Sequence, residues 1–379
     1  MRNILLVLLA ASLAEASEQA ARWNNLAALY HRQGQYERAE RLYRQAIQEW
    51  QKSGTEHPDL GRGLSNLGSI AHLQGRYDEA DTLSRRALSI LERSLGADHP
   101  SVATTLNNLA ELYTSQARFS EAEPLFERAL RIQREALGAD AVEVASTLNN
   151  LAELHRALGR YASAEPMLRQ ALEIRQRELG PDSPRVAQVW NNLASVYKGQ
   201  GHSEMAEPLY REALAIWERS LGPESPLTAT GCNNLGQFLH EQGRYLEAEP
   251  LFERSLAAWE KNVGPEHPNV ASVLNNLGAL YAAQHRYLKA DPLYRRALAI
   301  REKSLGRDHP EVATTLHNLA ALYYELGWFD RARPLYERAL TIRQKSLGPD
   351  HPLVASTRGH LAALRTRKAA AAAQSSALR

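Results

Sequence analysis

The chain has 379 residues, with 45 Lys and Arg against 43 Asp and Glu and a formal net charge of +2. A charge so close to zero creates no overall field that would draw the protein to nucleic acid or to an anionic membrane. The single cysteine excludes an internal disulfide framework and a cysteine-rich zinc site.

The first 16 residues, MRNILLVLLAASLAEA, contain an apolar run followed by small residues. This pattern fits a short secretory signal peptide and is too short for a membrane span. The alternative is a helix that caps the first repeat, because no Gly or Pro interrupts the chain before Gly34. A signal peptide would place the protein in the periplasm or outside the cell, and a capping helix would leave it in the cytoplasm.

Residues 17–357 repeat with a period of 42 residues. The phrase LNNLAELY at 106–113 returns as LNNLAELH at 148–155 and as LNNLGALY at 274–281. The leucine after the second Asn marks each repeat, and the markers are Leu26, Leu67, Leu109, Leu151, Leu193, Leu235, Leu277, Leu319 and Leu361. Eight repeats and a partial ninth of this length predict a solenoid.

Each repeat is predicted to consist of two helices. Eleven of the seventeen prolines lie in the links between repeats, where a Gly suits a helix end and the His or Ser before seven of these prolines suits a helix start. In the third repeat these signals predict helix A from about Pro100 to Gln116 and helix B from about Ser120 to Leu137. The other six prolines, such as Pro124, then fall near the first turn of helix B, where a missing N–H costs little. Apolar residues at helical spacing require neighbouring repeats to stack.

The third repeat alternates bulky and small residues in a spacing that resembles the tetratricopeptide repeat: Leu106, Leu109, Ala110, Tyr113, Phe119, Ala122, Phe126, Ala129 and Leu130. The longer period and the link LGxDHPxVAxxLNNLA more specifically resemble the repeats of kinesin light chains and of many bacterial proteins. The resemblance implies an all-α fold, a right-handed α-solenoid or superhelix of eight two-helix repeats, with residues 358–379 forming a capping helix and an Ala-rich basic tail. It also implies a non-catalytic scaffold or adaptor that binds proteins or peptides and needs no cofactor or metal.

In this family helix A lines a concave groove, so the resemblance points to the Asn residues of helix A as the working surface. The residue before each marker leucine is Asn in all eight full repeats: Asn25, Asn66, Asn108, Asn150, Asn192, Asn234, Asn276 and Asn318. We call these the first Asn column, and the positions just before them, including Asn107, Asn149 and Asn191, the second Asn column. A carboxamide matches the N–H and C=O groups of an extended peptide, which predicts a ladder that binds ligand main chain. The alternative is that these side chains bond to the next repeat and hold the stack.

Arg156 and Lys198 occupy equivalent positions in adjacent repeats, beside Asn150 and Asn192. This pair resembles the clamp that some tetratricopeptide domains close on a carboxylate, and its alternative is a solvated pair on a face of mixed charge. The mixed charge argues against a nucleic-acid groove, because phosphate tracking needs a consistent basic stripe. We therefore expect a protein or peptide partner, no nucleic acid and no integral membrane span. An alternative function of a different class is an assembly or regulatory subunit whose repeats mediate self-association or autoinhibition. In that case the Asn ladder only holds the repeats together.

Three smaller predictions concern individual positions. The histidines that precede the link prolines are expected to start helices: His57, His99, His267, His309 and His351. Trp217 and Trp259 share a helix B position and are either an exposed second contact patch or partly covered by the link. The second repeat has Ala71 and Ser84 at two positions that are aromatic in most other repeats, which predicts looser packing there.

Overall fold

The structure is a computed structural model of the chain. It describes residues 2–32, 35–52, 57–349 and 352–377, and within them all side chains except those of residues 2–15, 32, 347 and 368–377. This described part of the chain forms seventeen helices and contains no strand. The predicted all-α solenoid of two-helix repeats is confirmed.

The chain divides into two compact units, Met1–Ser220 and Leu221–Arg379. The helices that begin in unit 1 are α1 (Arg2–Arg32), α2 (Tyr36–Lys52), α3 (Pro58–Leu73), α4 (Tyr77–Leu95), α5 (Pro100–Ser115), α6 (Phe119–Leu137), α7 (Val142–Ala157), α8 (Tyr161–Leu179), α9 (Pro184–Gly199) and α10 (Ser203–Leu221). Those of unit 2 are α11 (Pro226–Glu241), α12 (Tyr245–Val263), α13 (Pro268–Ala283), α14 (Tyr287–Leu305), α15 (Pro310–Glu325), α16 (Phe329–Leu347) and α17 (Pro352–Ala377). Odd-numbered helices are the A helices of the repeats, and even-numbered ones are the B helices.

The A helices begin as the sequence predicts. The Nδ1 atom of His99 accepts a hydrogen bond of 3.0 Å from the backbone N–H of Ser101, and Pro100 is the first helical residue. His57, His267 and His309 make the equivalent bond, whereas His351 lies outside the described residues. These four histidines satisfy N–H groups that would otherwise lack an intrahelical partner.

The B helices end at a glycine and begin earlier than predicted. Gly96 follows α4 with φ of +91°, a conformation that other residues adopt only with strain. Helix α6 begins at Phe119, so Pro124 is its sixth residue and lies in the second turn. The expectation that the missing N–H of this proline costs little is therefore wrong, because a non-proline residue at this position would donate its N–H to the Ser120 carbonyl.

Within each unit, neighbouring repeats stack through buried apolar side chains. Each B helix from α2 to α8 and from α12 to α16 packs against its own A helix and against the A helix of the next repeat. The side chains of Leu106, Phe126, Ile132 and Cys232 are buried in the core. Each repeat thus completes the burial of its neighbour, as in other repeat proteins.

The prediction of loose packing in the second repeat is wrong. Helix α3 carries glycines where it approaches its neighbours, and a Cβ added at Gly63 would lie 2.7 Å from Cζ3 of Trp50. A Cβ at Gly68 would lie 2.7 Å from Oγ of Ser84. The small residues therefore face one another and the helices approach closely enough to fill the space of the missing aromatics.

The helix B position of Trp217 and Trp259 is buried, so the exposed-patch interpretation is wrong. Trp217 is 1% exposed and its Nε1 donates a hydrogen bond of 2.9 Å to the Pro184 carbonyl in the link. Trp259 is 8% exposed and stacks on His267 with ring centroids 5.9 Å apart. Arg301 at the same position is also buried, and its Nη1 donates to Oγ1 of Thr315 at 2.6 Å. Trp217 thus attaches α10 to the start of its own A helix, whereas Trp259 and Arg301 attach their B helices to the link or helix that follows.

The two ends of the chain extend the repeat pattern. Helix α1 runs from Arg2 into the first repeat without a break, but the side chains of residues 1–15 lie outside the described part. The choice between signal peptide and capping helix therefore remains a prediction. Helix α17 packs on α15 and α16, with Leu361 and Leu364 buried and Arg358 and Arg365 exposed. Within the residues that the structure describes, no helix has both the length and the apolar character of a membrane span.

Candidate functional site

The accessible face of each A helix is the candidate site, and we call it the A-helix face. In α5 it consists of Thr104, Asn107, Asn108, Glu111 and Thr114, which are exposed or half-buried at helical spacing. Within each unit, the backbones of neighbouring A helices lie close together, whereas neighbouring B helices meet through long side chains, as in the Arg44–Glu79 and Arg128–Glu92 ion pairs. Closer spacing of the A helices makes this face the concave side of each unit.

The first Asn column is bonded to the second column of the preceding repeat. In unit 1, Nδ2 of Asn192 donates to Oδ1 of Asn149 at 3.0 Å, and Nδ2 of Asn150 donates to Oδ1 of Asn107 at 3.4 Å. Asn66 makes the same bond to Asn24 at 3.4 Å. The side chains therefore connect adjacent repeats across the A-helix face.

Unit 2 repeats this arrangement. Nδ2 of Asn276 donates to Oδ1 of Asn233 at 3.0 Å, and Nδ2 of Asn318 donates to Oδ1 of Asn275 at 3.2 Å. The stacking role that the sequence left as an alternative thus has direct contacts in both units. A carboxamide has two N–H donors and two acceptor lone pairs, so one such bond leaves capacity for another partner.

The two columns differ in accessibility. In the first column Asn25 is exposed, Asn192 is 8% exposed, and the other six are half-buried: Asn66, Asn108, Asn150, Asn234, Asn276 and Asn318. In the second column Asn107 is half-buried, whereas Asn149 has no exposed surface and Asn191 is 5% exposed. Direct ligand contact by Asn149 does not fit its burial, because its amide is enclosed between Asn150 and Asn192.

The positions that depart from the Asn pattern still make the contact between the two columns. Ser65 replaces Asn in the second column, and its Oγ accepts from Nδ2 of Asn108 at 3.3 Å. At the last repeat boundary His317 stands in the second column and His360 in the first, and their rings meet edge to face at 4.9 Å. The contact between the columns is therefore kept where the residue types change.

Charge on the A-helix face is concentrated in unit 1. Glu111 is an exposed residue of the A-helix face, and its carboxyl lies close to other side chains of that face. Nδ2 of Asn150 is 3.4 Å from its Oε2. This partial removal from water and, to a smaller extent, repulsion from Glu153 raise the pKa of Glu111 to about 7. The site therefore carries a carboxyl that is largely protonated in mildly acidic solution.

Arg156 and Lys198 lie at the same register of α7 and α9, and both are half-buried on the A-helix face. Nη2 of Arg156 is 3.8 Å from Oε1 of Glu153, which is a weak ion pair within one helix. Both cations therefore lie on the predicted surface, next to the first Asn column in sequence and in register.

In unit 2 the equivalent positions carry no Asp, Glu, Lys or Arg. They are Gln237 and His240 in α11, Ala279 and Ala282 in α13, and Ala321 and Tyr324 in α15. The two units therefore offer different chemistry on the same face. No group of three or more His, Cys, Asp or Glu side chains able to hold a metal ion occurs among the described residues.

Sequence reasoning missed a second row of bonds between repeats. The hydroxyl of Tyr113 donates to Oδ1 of Asp81 at 2.8 Å, and that of Tyr281 donates to Oε1 of Glu249 at 3.0 Å. Each joins an A helix to the preceding B helix. The signal was present as acidic residues 14 positions after seven of the eight marker leucines of the full repeats, all except Leu319, but the pairing requires the stacked geometry.

Comparison with known proteins identifies the repeat type. A family model described as "Tetratricopeptide repeat" matches residues 18–92, 60–135, 143–219, 228–303, 270–345 and 311–376, and a second with the same description matches 191–263. No curated protein matches the sequence.

Several solved structures are similar. BtubC (BKLC) from P. vanneervenii is 28% identical, with 63% of this chain and 92% of that chain covered and a TM-score of 0.47. A putative kinesin light chain from Podosopora anserina with nearly identical TPR-like repeats is 26% identical, covering 55% of this chain and 98% of that one, with a TM-score of 0.42. A Rap protein complexed with Competence and Sporulation Factor is 17% identical, covers 92% and 99%, and has a TM-score of 0.63. The last likeness extends over nearly the whole chain and concerns the fold.

Proposed function

The chain belongs to the tetratricopeptide repeat family, whose fold is a typical non-catalytic protein-interaction scaffold, and we propose that it holds an extended partner segment on its A-helix face. The repeats indicate protein partners. The first Asn column is the element that contacts the partner main chain in this proposal. The partner is a peptide or a segment of a protein in extended conformation.

The observation that supports this proposal most directly is the orientation of the first Asn column. The bonds to the preceding repeat hold Asn108, Asn150 and Asn276 in one direction along the accessible side of the A helices. Amides fixed in this way lose little conformational entropy when they bind. Their remaining donors and acceptors match an extended backbone, which gives affinity without a fixed ligand sequence.

Specificity in this proposal comes from the neighbouring positions. In unit 1 Arg156 and Lys198 bind a carboxylate of the partner, with Glu153 as the competing internal partner of Arg156. Of the second column, Asn107 is accessible enough to contact the segment, while Asn149 and Asn191 act by orienting the first column.

The alternative function is an assembly or regulatory subunit in which the ladder is structural. The hydrogen bonds between Asn residues of adjacent repeats favour a structural role for the ladder. They do not by themselves favour self-association or autoinhibition, so ligand capture remains the better-supported proposal.

A test must separate binding from stacking, because Asn substitutions affect both. A peptide selected from a library on the full-length protein is titrated against the Arg156→Glu, Lys198→Glu double variant by fluorescence anisotropy. We expect the Kd to rise by roughly tenfold or more if a partner carboxylate lies between these cations. The matched control is Arg131→Glu, a similarly exposed arginine on helix α6 away from the A-helix face.

A second arm tests the main-chain contact. A peptide whose central amides are N-methylated loses its N–H donors but keeps its side chains, and should bind the wild-type protein roughly tenfold more weakly or worse. Equal affinity for both peptides, or an equal effect of the Arg131 control and of the double variant, would reject the proposed groove.

A further inference from the structure

Two leucines in unit 2 are far more exposed than any other large apolar side chain in the described residues. Leu246 is 89% exposed and Leu288 is 94% exposed, whereas the others reach at most 45%. Both are the second residue of a B helix, in adjacent repeats. Side chains this exposed contribute almost nothing to burial within the fold.

The other repeats place polar or small residues at this register. They have Glu37, Asp78, Ser120, Ala162, Glu204 and Asp330. An acidic residue in the first turn is favoured by the helix dipole, so leucine here gives up a small stabilisation. Neither leucine is therefore explained by the stability of its own helix.

The turn before Leu288 departs from local preference in two more ways. His285 has φ of +57°, where most repeats have glycine, and its Nδ1 lies 2.7 Å from the Tyr287 hydroxyl. Lys289 follows Leu288 where three other repeats have Glu, and the first turn of α14 contains no acidic residue. Local preferences are usually broken at functional surfaces, where the benefit lies outside the chain.

The next repeat continues the same edge of unit 2. Trp328 precedes α16 and is 45% exposed, with the Arg331 guanidinium 5.0 Å from its ring. Arg331 and Arg333 are exposed, and Arg333 stands where every other repeat has Asp or Glu. Glu247 at the other end of the edge is paired with Arg244 at 2.7 Å. The edge thus combines protruding Leu and Trp side chains with cations at repeats seven and eight.

We propose that this edge, formed by Leu246, Leu288, Lys289, Trp328 and Arg331, is a peripheral contact site for an anionic lipid surface. Leu246 and Leu288 occupy the same position in successive repeats, and Trp328 lies just before the equivalent position of the next repeat. The three apolar side chains therefore follow the same edge of unit 2, at the starts of its B helices. This proposal is independent of peptide binding on the A-helix face.

The observations favour a bilayer over a protein groove. The leucines project from an edge and do not line a depression, and Trp and Tyr next to Lys and Arg are the residues enriched at membrane interfaces. Insertion of two leucines and one tryptophan next to a few cations gives weak and reversible binding, comparable to that of a single lipid anchor.

The test uses the full-length protein and vesicles of phosphatidylcholine with about a quarter phosphatidylglycerol. In co-sedimentation, wild type should bind these vesicles, and more at low salt than at high salt. The Leu246→Glu, Leu288→Glu double variant, which introduces the residue found at Glu37 and Glu204, should reduce the partition coefficient by about tenfold or more. Leu137→Ser, at a leucine that is 43% exposed in unit 1, should leave it unchanged.

A second measurement reports the site directly and is insensitive to apolar residues elsewhere in the chain. Brominated lipids should quench part of the tryptophan fluorescence of wild type, and Trp328→Phe should remove that part. Wild type that does not bind, binding that the double variant leaves intact, or quenching that survives Trp328→Phe would each overturn the proposal. So would a change from dimer to monomer in the double variant without any vesicle binding, since the edge would then join two copies.

Discussion

Asn192 donates a hydrogen bond of 3.0 Å to Asn149, one repeat earlier, and both side chains are almost completely buried. Two residues that look equivalent in the sequence, each half of an Asn-Asn pair, therefore have different roles. In the bonds between repeats the second column accepts and the first column donates, and the second-column Asn149 and Asn191 are buried whereas most of the first column is half-buried. An unpaired buried amide costs free energy, so the bond fixes the spacing of neighbouring A helices.

Asn149→Ala should destabilise the stack at helices α7 and α9. The change removes the acceptor of Asn192 and the donor to Asn150, at an expected cost of about 1–3 kcal/mol. Native-state hydrogen exchange of these helices is the suitable measurement, because long repeat arrays need not unfold in one step. The control is Asn25→Ala, which makes the same change in helix propensity as Asn149→Ala but at an exposed side chain. Equal protection in the two variants would contradict a structural role for the second column.

Gly63→Ala and Gly359→Ala should have opposite effects. A Cβ at Gly63 would overlap Trp50, and overpacking of this kind costs about 1–3 kcal/mol. A Cβ at Gly359 in α17 meets nothing within 4 Å, so alanine there should stabilise the helix by up to about 1 kcal/mol. Urea denaturation followed by circular dichroism measures both. Stabilisation by Gly63→Ala would show that α3 is not held against its neighbours.

Glu111→Gln should change the pH dependence of stability. The pKa of Glu111 is about 7 in the folded protein against 4.5 ordinarily. Between these values the folded state keeps a proton that the unfolded chain has released, so the free energy of unfolding falls as pH rises. The variant should match wild type below pH 4.5 and exceed it above pH 7. Solvent screening at this exposed side chain limits the gain to roughly 1 kcal/mol.

Urea titrations at several pH values test this, with Glu127→Gln on the exposed side of α6 as the control. If Glu111→Gln raises the free energy of unfolding equally at all pH values, or by as much as the control does, the raised pKa of Glu111 on the concave side is not the cause.

Thr315→Val should weaken the junction between α14 and α15. Arg301 is 4% exposed and relies on the Thr315 hydroxyl and on the Glu311 carbonyl, 3.0 Å from Nη1. Loss of one acceptor from a buried guanidinium costs about 1–3 kcal/mol. Thermal denaturation compares it with Thr314→Val, a half-buried neighbour whose hydroxyl bonds only to its own helix in the contacts described, 3.3 Å from the Pro310 carbonyl. Similar midpoints for both variants would mean that Arg301 finds another partner.

The sequence was sufficient to predict the eight two-helix repeats and the starts of the A helices. Most of the predictions that failed involve contacts between helices. From the sequence, Trp217 could be part of an exposed contact patch. In the structure it is buried and bonded to the Pro184 carbonyl at the start of α9. The glycines of α3 could not be assigned as close contacts, because Gly63 faces a tryptophan on another helix.

The sequence by itself determined the 42-residue period, the His and Pro that begin the A helices and the Gly that ends the B helices. These depend on hydrogen bonds between residues only a few positions apart, so a local pattern specifies them. Only the tertiary structure decided which Asn column is enclosed, which face is concave and why Glu111 has a high pKa. Each depends on side chains roughly one repeat apart in sequence, and their burial and electrostatics exist only once the repeats have stacked.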